Sequence, residues 1–78
     1  MTIEAQLTQY FQEIGHNGVT ADTQLIESGL IDSMGIQELI AFLEGLYDIE
    51  FEMDDLTVEN FGSIMDIRNL VLAKKGAS

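Results

Sequence analysis

Ser33-Met34-Gly35-Ile36-Gln37-Glu38-Leu39-Ile40-Ala41-Phe42-Leu43-Glu44-Gly45-Leu46-Tyr47 decides the fold of this chain. Its apolar residues Ile36, Leu39, Ile40, Leu43, Leu46 and Tyr47 recur at the intervals that place them on one stripe of an α-helix, with Phe42 at the edge. The opposite face carries Met34, Gln37, Glu38, Ala41, Glu44, Gly45 and Asp48. Asp32 stands where an N-cap carboxylate accepts the first free N–H groups of a helix. A helix with one apolar stripe must bury it against other elements, and the rest of the chain is expected to supply them.

Upstream, Ile3, Leu7, Tyr10, Phe11 and Ile14 share one helical face. Thr2 can cap this segment and Gly15 can end it, which predicts a first helix from about Ile3 to Ile14. Residues 15–32 lose the periodicity and read as a long connection. Leu25, Ile26, Leu30 and Ile31 would be costly to leave in water, so the connection should lie folded across the bundle. Asn17-Gly18 has no alternating strands beside it and reads as a simple turn rather than a hairpin.

Downstream, residues 48–54 alternate acid with apolar, but a lone strand has no partner, so an extended linker burying Ile49 and Phe51 is expected. A short helical turn follows around Asp55 to Phe61, with Leu56, Val58 and Phe61 as its apolar residues. Ser63 and Asp66 have the spacing of a capping box. A last helix then turns Ile64, Ile67, Leu70 and Val71 inward, with Lys74 and Lys75 at the negative end of its dipole and Gly76 to close it. The expected fold is all-α: a small four-helix bundle with three longer helices, a short third helix and a long first loop, as a single domain over residues 1–78.

The 78 residues are 46% hydrophobic, with 14 acidic side chains against 3 basic ones and a net charge of -11. A domain this short buries only ~60% of its unfolded surface, which leaves little core for a deep active-site cavity. With no cysteine, disulfides, thiolate nucleophiles and cysteine-based zinc sites are excluded. The charge repels nucleic acid and disfavours anionic membranes, whereas a basic protein partner is attracted. Met1-Thr2-Ile3-Glu4 has neither the basic patch nor the apolar run of a secretory signal, and no stretch approaches transmembrane length, so a cytoplasmic protein without membrane insertion is expected; a monomer is expected as well.

His16 is the only histidine and reads as a solvated loop residue. The acids at 48, 50, 52, 54 and 55 lack the calcium-loop pattern, since the sixth position from Asp48 is Met53 where glycine is needed; no metal site is assigned. Neither a phosphate-binding glycine loop nor a nucleophile elbow is present, and the chain is expected to catalyse nothing alone. Ser33 stands apart. At the start of the most regular helix it can belong to an ordinary cap, in which Asp32 or Ser33 satisfies backbone N–H groups. A serine there is also well placed to carry a phosphoester, because the free N–H groups and the dipole favour negative charge. Lacking a base of its own, it would have to be modified by another enzyme.

The stretch Glu27-Ser28-Gly29-Leu30-Ile31-Asp32-Ser33-Met34-Gly35-Ile36-Gln37-Glu38-Leu39 resembles the acyl carrier protein family, which includes the peptidyl and aminoacyl carriers. The family pattern is Gly, a short apolar spacer, Asp-Ser-Leu/Met, then an apolar-rich helix. Leu56-Thr57-Val58-Glu59-Asn60-Phe61-Gly62-Ser63-Ile64 resembles the junction between the third and fourth helices of many carriers.

The resemblance implies that Ser33 receives 4'-phosphopantetheine from coenzyme A through a magnesium-using phosphopantetheinyl transferase, and that the arm's thiol carries an acyl or aminoacyl group as a thioester. It implies that Asp32 helps to position the transferase metal and that Met34 sits exposed beside the attachment point. It also implies that Met34, Gln37, Glu38, Ala41, Glu44 and Asp48 face basic docking patches on ligases or synthases. Three positions depart from fatty-acid carriers: Gly35 replaces a frequent acid, Ala41 a larger apolar residue, and Gly45 interrupts the acidic run. Gly35 and Gly45 each cost about 1 kcal/mol against Ala in a helix interior. The expectation is a free-standing acyl carrier in fatty-acid, polyketide or related specialised biosynthesis. The alternatives are an aminoacyl carrier, for example D-alanyl, or a peptidyl carrier, and beyond these an unmodified acidic helical adaptor.

Overall fold

The computed structural model describes residues 2–76. They form α1 (Ile3–Glu13), α2 (Ser33–Tyr47), a 3-10 turn (Met53–Asp55), α3 (Val58–Phe61) and α4 (Ile64–Gly76). The architecture is the expected all-α bundle of three longer helices and a short third one. No helix among the described residues is long and apolar enough to cross a membrane.

Local chemistry sets most of the boundaries. Thr2 is extended, and its hydroxyl accepts the Ala5 N–H at 3.1 Å to open α1. At the other end the chain turns through Gly15 at φ +99°, a conformation that side chains resist. Thr57 caps α3 by accepting the Asn60 N–H at 3.2 Å. The 3-10 turn, which periodicity does not reveal, is closed by a reciprocal acid pair: Glu52 accepts from the backbone of Asp55, and the Asp55 carboxylate accepts the Glu52 N–H at 2.8 Å.

The core joins Leu7 and Phe11 of α1, Leu39 and Leu43 of α2, Phe61 of α3, and Ile64, Ile67 and Val71 of α4, all at 1% exposure or less. Val19, Leu25 and Ile31 of the long connection complete it. Full burial of one such side chain is worth ~1.5–3 kcal/mol, so this connection is a structural layer of the bundle. Two backbone hydrogen bonds tie it to the junction of α3 and α4: the Leu25 N–H donates to the Gly62 carbonyl at 2.7 Å, and the Met65 N–H to the Ala21 carbonyl at 3.3 Å. Gly62 lets the chain turn tightly out of α3. A Cβ there would lie 2.6 Å from the Val58 carbonyl oxygen, nearer than carbon approaches oxygen without a backbone shift.

Two residues of the expected apolar faces lie substantially in solvent, Ile14 at 48% exposure and Leu46 at 44%, as do Leu56 at 42% and Val58 at 51% around the short third helix. Periodicity identifies the face of a helix but not how far along its axis the neighbouring elements extend to cover that face. Ile49 and Phe51 of the linker are half-buried as expected, with the Phe51 ring edge-on to Phe61 at 5.7 Å between centroids.

Candidate functional site

The approach to α2 is fixed on three sides. Gly29 turns the chain at φ +81°. Ile31, 6% exposed, then plugs the core, and its N–H donates to the Leu25 carbonyl at 3.1 Å. Asp32 follows in extended conformation, its Oδ1 accepting the Gly35 N–H at 2.8 Å and its carbonyl the Ile36 N–H at 2.9 Å. Of the two caps open to the sequence, the structure uses Asp32. Gly35 matters to this geometry: a Cβ there would sit 3.3 Å from Ile31 Cβ and 3.4 Å from Asp32 Oδ1. A residue that looks in the sequence like a propensity cost thus lets the first turn of α2 pack against Ile31. No local pattern signals such a contact.

Ser33 is left as the first helical residue, exposed, with a hydroxyl that no group among the described residues engages. At this end of a 15-residue helix the N–H groups of Ser33 and Met34 have no intrahelical acceptor, and the dipole is positive. An accessible, uncommitted hydroxyl in that field fits a phosphodiester, so the residues present suit a phosphopantetheine arm. Among the described residues no side chain is hydrogen-bonded to the hydroxyl, and Oδ1 of the neighbouring Asp32 is engaged by the Gly35 N–H.

Met34, 70% exposed, stands beside Ser33. Gln37, Glu38, Ala41 and Asp48 are exposed as well. Glu38 lies close enough to Tyr10 on α1 that, after burial, its negative charge is the second cause holding the Tyr10 phenol above its ordinary pKa. Glu44 corrects the picture of a wholly free acidic face. It is half-buried, and its Oε2 accepts the Phe51 N–H at 2.9 Å, fastening the linker to α2. Asp48 ends the helix in left-handed conformation at φ 56°.

All three cations belong to α4. Arg68 lies 3.8 Å from Glu4, Lys74 pairs with Asp55, and Lys75 Nζ sits 5.1 Å from the centroid of the Tyr47 ring. The outer face of α2 therefore carries acids and no bases of its own. The Glu52 N–H and then Lys74 hold the Asp55 carboxyl below the usual carboxylate range. His16 is half-buried rather than solvated: its N–H donates to the Phe11 carbonyl at 2.8 Å and its ring centroid is 6.5 Å from that of Phe11. No cluster of three or more histidine or acidic residues among the described residues could hold a metal ion.

No protein-family model matches the chain. The chain is similar to the D-alanyl carrier protein of Streptococcus sanguinis, 33% identical over 78 aligned positions that cover 88% of this chain and 99% of the relative. It is also similar to the D-alanyl carrier protein of Streptococcus uberis, 29% identical over 69 positions, covering 86% of this chain and 87% of that one.

Proposed function

Because the chain belongs to the phosphopantetheine carrier-protein family, we propose that it is a D-alanyl carrier whose arm is attached at Ser33. The observation that carries this reading is the near full-length similarity to two D-alanyl carriers. It favours the aminoacyl alternative over a carrier of fatty-acid or polyketide intermediates.

Attachment needs an accessible nucleophile and little else from this chain. The Ser33 hydroxyl attacks the pyrophosphate of coenzyme A at the phosphorus bearing pantetheine. Its proton passes to a base of the transferase, the phosphoanhydride bond breaks, and 3',5'-ADP leaves. Asp32 keeps the helix start in place through Oδ1 and has Oδ2 available to the transferase magnesium. Once attached, the arm supplies a thiol that holds the D-alanyl group as a thioester. Met34, Gln37, Glu38, Ala41 and Asp48 form the surface on which basic patches of the transferase and the D-alanine ligase dock, while Glu44 shapes that surface by holding Phe51.

Incubation with coenzyme A and a promiscuous transferase should add the mass of one phosphopantetheine. Adding a D-alanine ligase, ATP and D-alanine should then add one alanyl group that hydroxylamine removes. A holo protein that accepts fatty acyl groups but not D-alanine would overturn the D-alanyl assignment and leave the carrier assignment standing.

A further inference from the structure

Gly35 and Gly45 lie in the same helix and both forgo helix propensity, yet their surroundings differ. At Gly45 a Cβ would meet nothing within 4 Å. At Gly35 it would meet Ile31 Cβ at 3.3 Å, Asp32 Oδ1 at 3.4 Å and Ile31 Cγ2 at 3.5 Å. The two shortest contacts are tighter than a Cβ ordinarily makes, so a neighbour must yield by a few tenths of an ångström. Ile31 cannot yield cheaply, because it is 6% exposed in the close-packed core and its N–H donates to the Leu25 carbonyl at 3.1 Å. Asp32 is exposed, and its Oδ1 is held by the N–H of residue 35 itself, at 2.8 Å. An added methyl group therefore displaces the carboxylate rather than the core residue.

We propose that Gly35 is a positioning residue for the modification of Ser33, acting through the Asp32 carboxylate. Without a Cβ at position 35, Oδ1 reaches the Gly35 N–H while Ile31 stays seated in the core. A carboxylate is planar and rigid, so the oxygen that the helix engages fixes the direction of the other. Gly35 thereby sets how Oδ2 is presented, in the residue directly before Ser33. Phosphoryl transfer is sensitive to such placement, since a misplacement of about 1 Å costs on the order of 10²-fold in rate. A shift of a few tenths of an ångström is expected to cost about tenfold. The acid that fatty-acid carriers often have at this position would meet the same neighbours with its own Cβ. Beside the branched Ile31 and a capping Asp32, the position is left to glycine.

The inference rests on the carrier reading and on the role proposed for Asp32, but not on the cargo. Transfer from coenzyme A by a promiscuous transferase would be timed for the wild type, Gly35→Ala, Asp32→Asn and the double variant Asp32→Asn/Gly35→Ala. Gly35→Ala should lower kcat about tenfold and leave KM for the carrier unchanged. In the Asp32→Asn background, where the charge is already gone, the same change should slow transfer by less than about twofold. Thermal melts provide the second axis. Gly45→Ala, with open space around its Cβ, should gain about 4 °C from propensity alone. Gly35→Ala should gain less, because crowding offsets the propensity. Repeating the cycle in the Gly45→Ala background keeps every variant folded. A wild type that is never modified overturns the carrier reading and this inference with it. With a modified wild type, an unchanged kcat in Gly35→Ala overturns the inference alone. So does equal slowing with and without the Asp32 charge, or a melting gain in Gly35→Ala as large as that in Gly45→Ala.

Discussion

Two helices of this molecule begin with a serine and an aspartate, and the order of the two residues separates a modification site from a structural joint. At α2 the aspartate comes first: Asp32 caps the helix through Gly35, and Ser33 stands exposed with its hydroxyl unengaged. At α4 the serine comes first. Ser63 is 6% exposed, its hydroxyl donates to Asp66 Oδ2 at 2.9 Å, and it accepts the Asp66 N–H at 3.2 Å. At both helix starts a side chain caps one backbone N–H, but only α2 does so without using its serine. A serine becomes available for chemistry when a neighbour takes over its capping role.

The largest expected effect is a crossed one between Ser33→Ala and Ser63→Ala. Ser33→Ala should abolish phosphopantetheine addition while changing the melting temperature little, since the hydroxyl makes no bond. Ser63→Ala should be fully modified yet lose ~1 kcal/mol, about 4–8 °C in a domain of this size. Mass spectrometry and thermal melts on the same two proteins read both axes. Modification of Ser33→Ala at another residue would break the contrast at once.

Next in size is Gly62→Ala, one residue before Ser63. The added Cβ would meet the Val58 carbonyl 2.6 Å away, so the backbone must shift and strain the Leu25 N–H bond to Gly62. Overpacking of this kind costs ~1–3 kcal/mol. In hydrogen exchange, Leu25 and Met65 amides should lose protection while Ile36, bonded at the α2 cap, keeps it. Equal loss at both ends would show that the two helix starts are coupled.

The contrast also marks what the sequence can and cannot disclose. The Thr2 cap, the extent of α2 and the Ser63–Asp66 spacing were legible because each depends on residues within one helical turn. The choice between Asp32 and Ser33 as cap was not, since either side chain can reach the same N–H groups. Nor were the bonds from Leu25 to Gly62 and from Met65 to Ala21, which join residues far apart in the chain and leave no periodic trace. Glu44 looked like one more solvated acid because nothing local foretells that the linker returns Phe51 to it. The candidate serine itself required the family pattern, as its local chemistry was equally that of a cap.

A smaller effect should appear on acidification. Asp55 has its folded carboxyl held below the ordinary value by the Glu52 N–H and by Lys74. Its contribution to stability is therefore complete above the unfolded value, about 3.9, and drains away as pH falls through the lowered folded value. Asp55 braces the turn ahead of α3 and α4, with no bond to the α2 start. Asp55→Asn should lower the melting temperature at pH 7 and flatten the acid limb of its pH profile, leaving the rate of Ser33 modification unchanged. An acid limb as steep as that of the wild type would remove this brace from the account.

The smallest expected change in stability is the most informative about α2. Asparagine caps a helix about as well as aspartate, because its side-chain oxygen accepts the same N–H bond. Asp32→Asn should therefore keep the Gly35 contact and shift stability by less than ~0.5 kcal/mol. What it removes is charge, and with it the oxygen proposed for the transferase magnesium. Modification of Ser33 should slow markedly in Asp32→Asn, with the melt nearly unmoved. Asp32→Ala should slow it too and cost ~1 kcal/mol as well. If Asn restores both stability and rate, Asp32 is only a cap, and α2 differs from α4 in geometry alone. If Asn restores stability without rate, the carboxylate has two separable tasks, one oxygen for the helix and one for the enzyme that modifies Ser33.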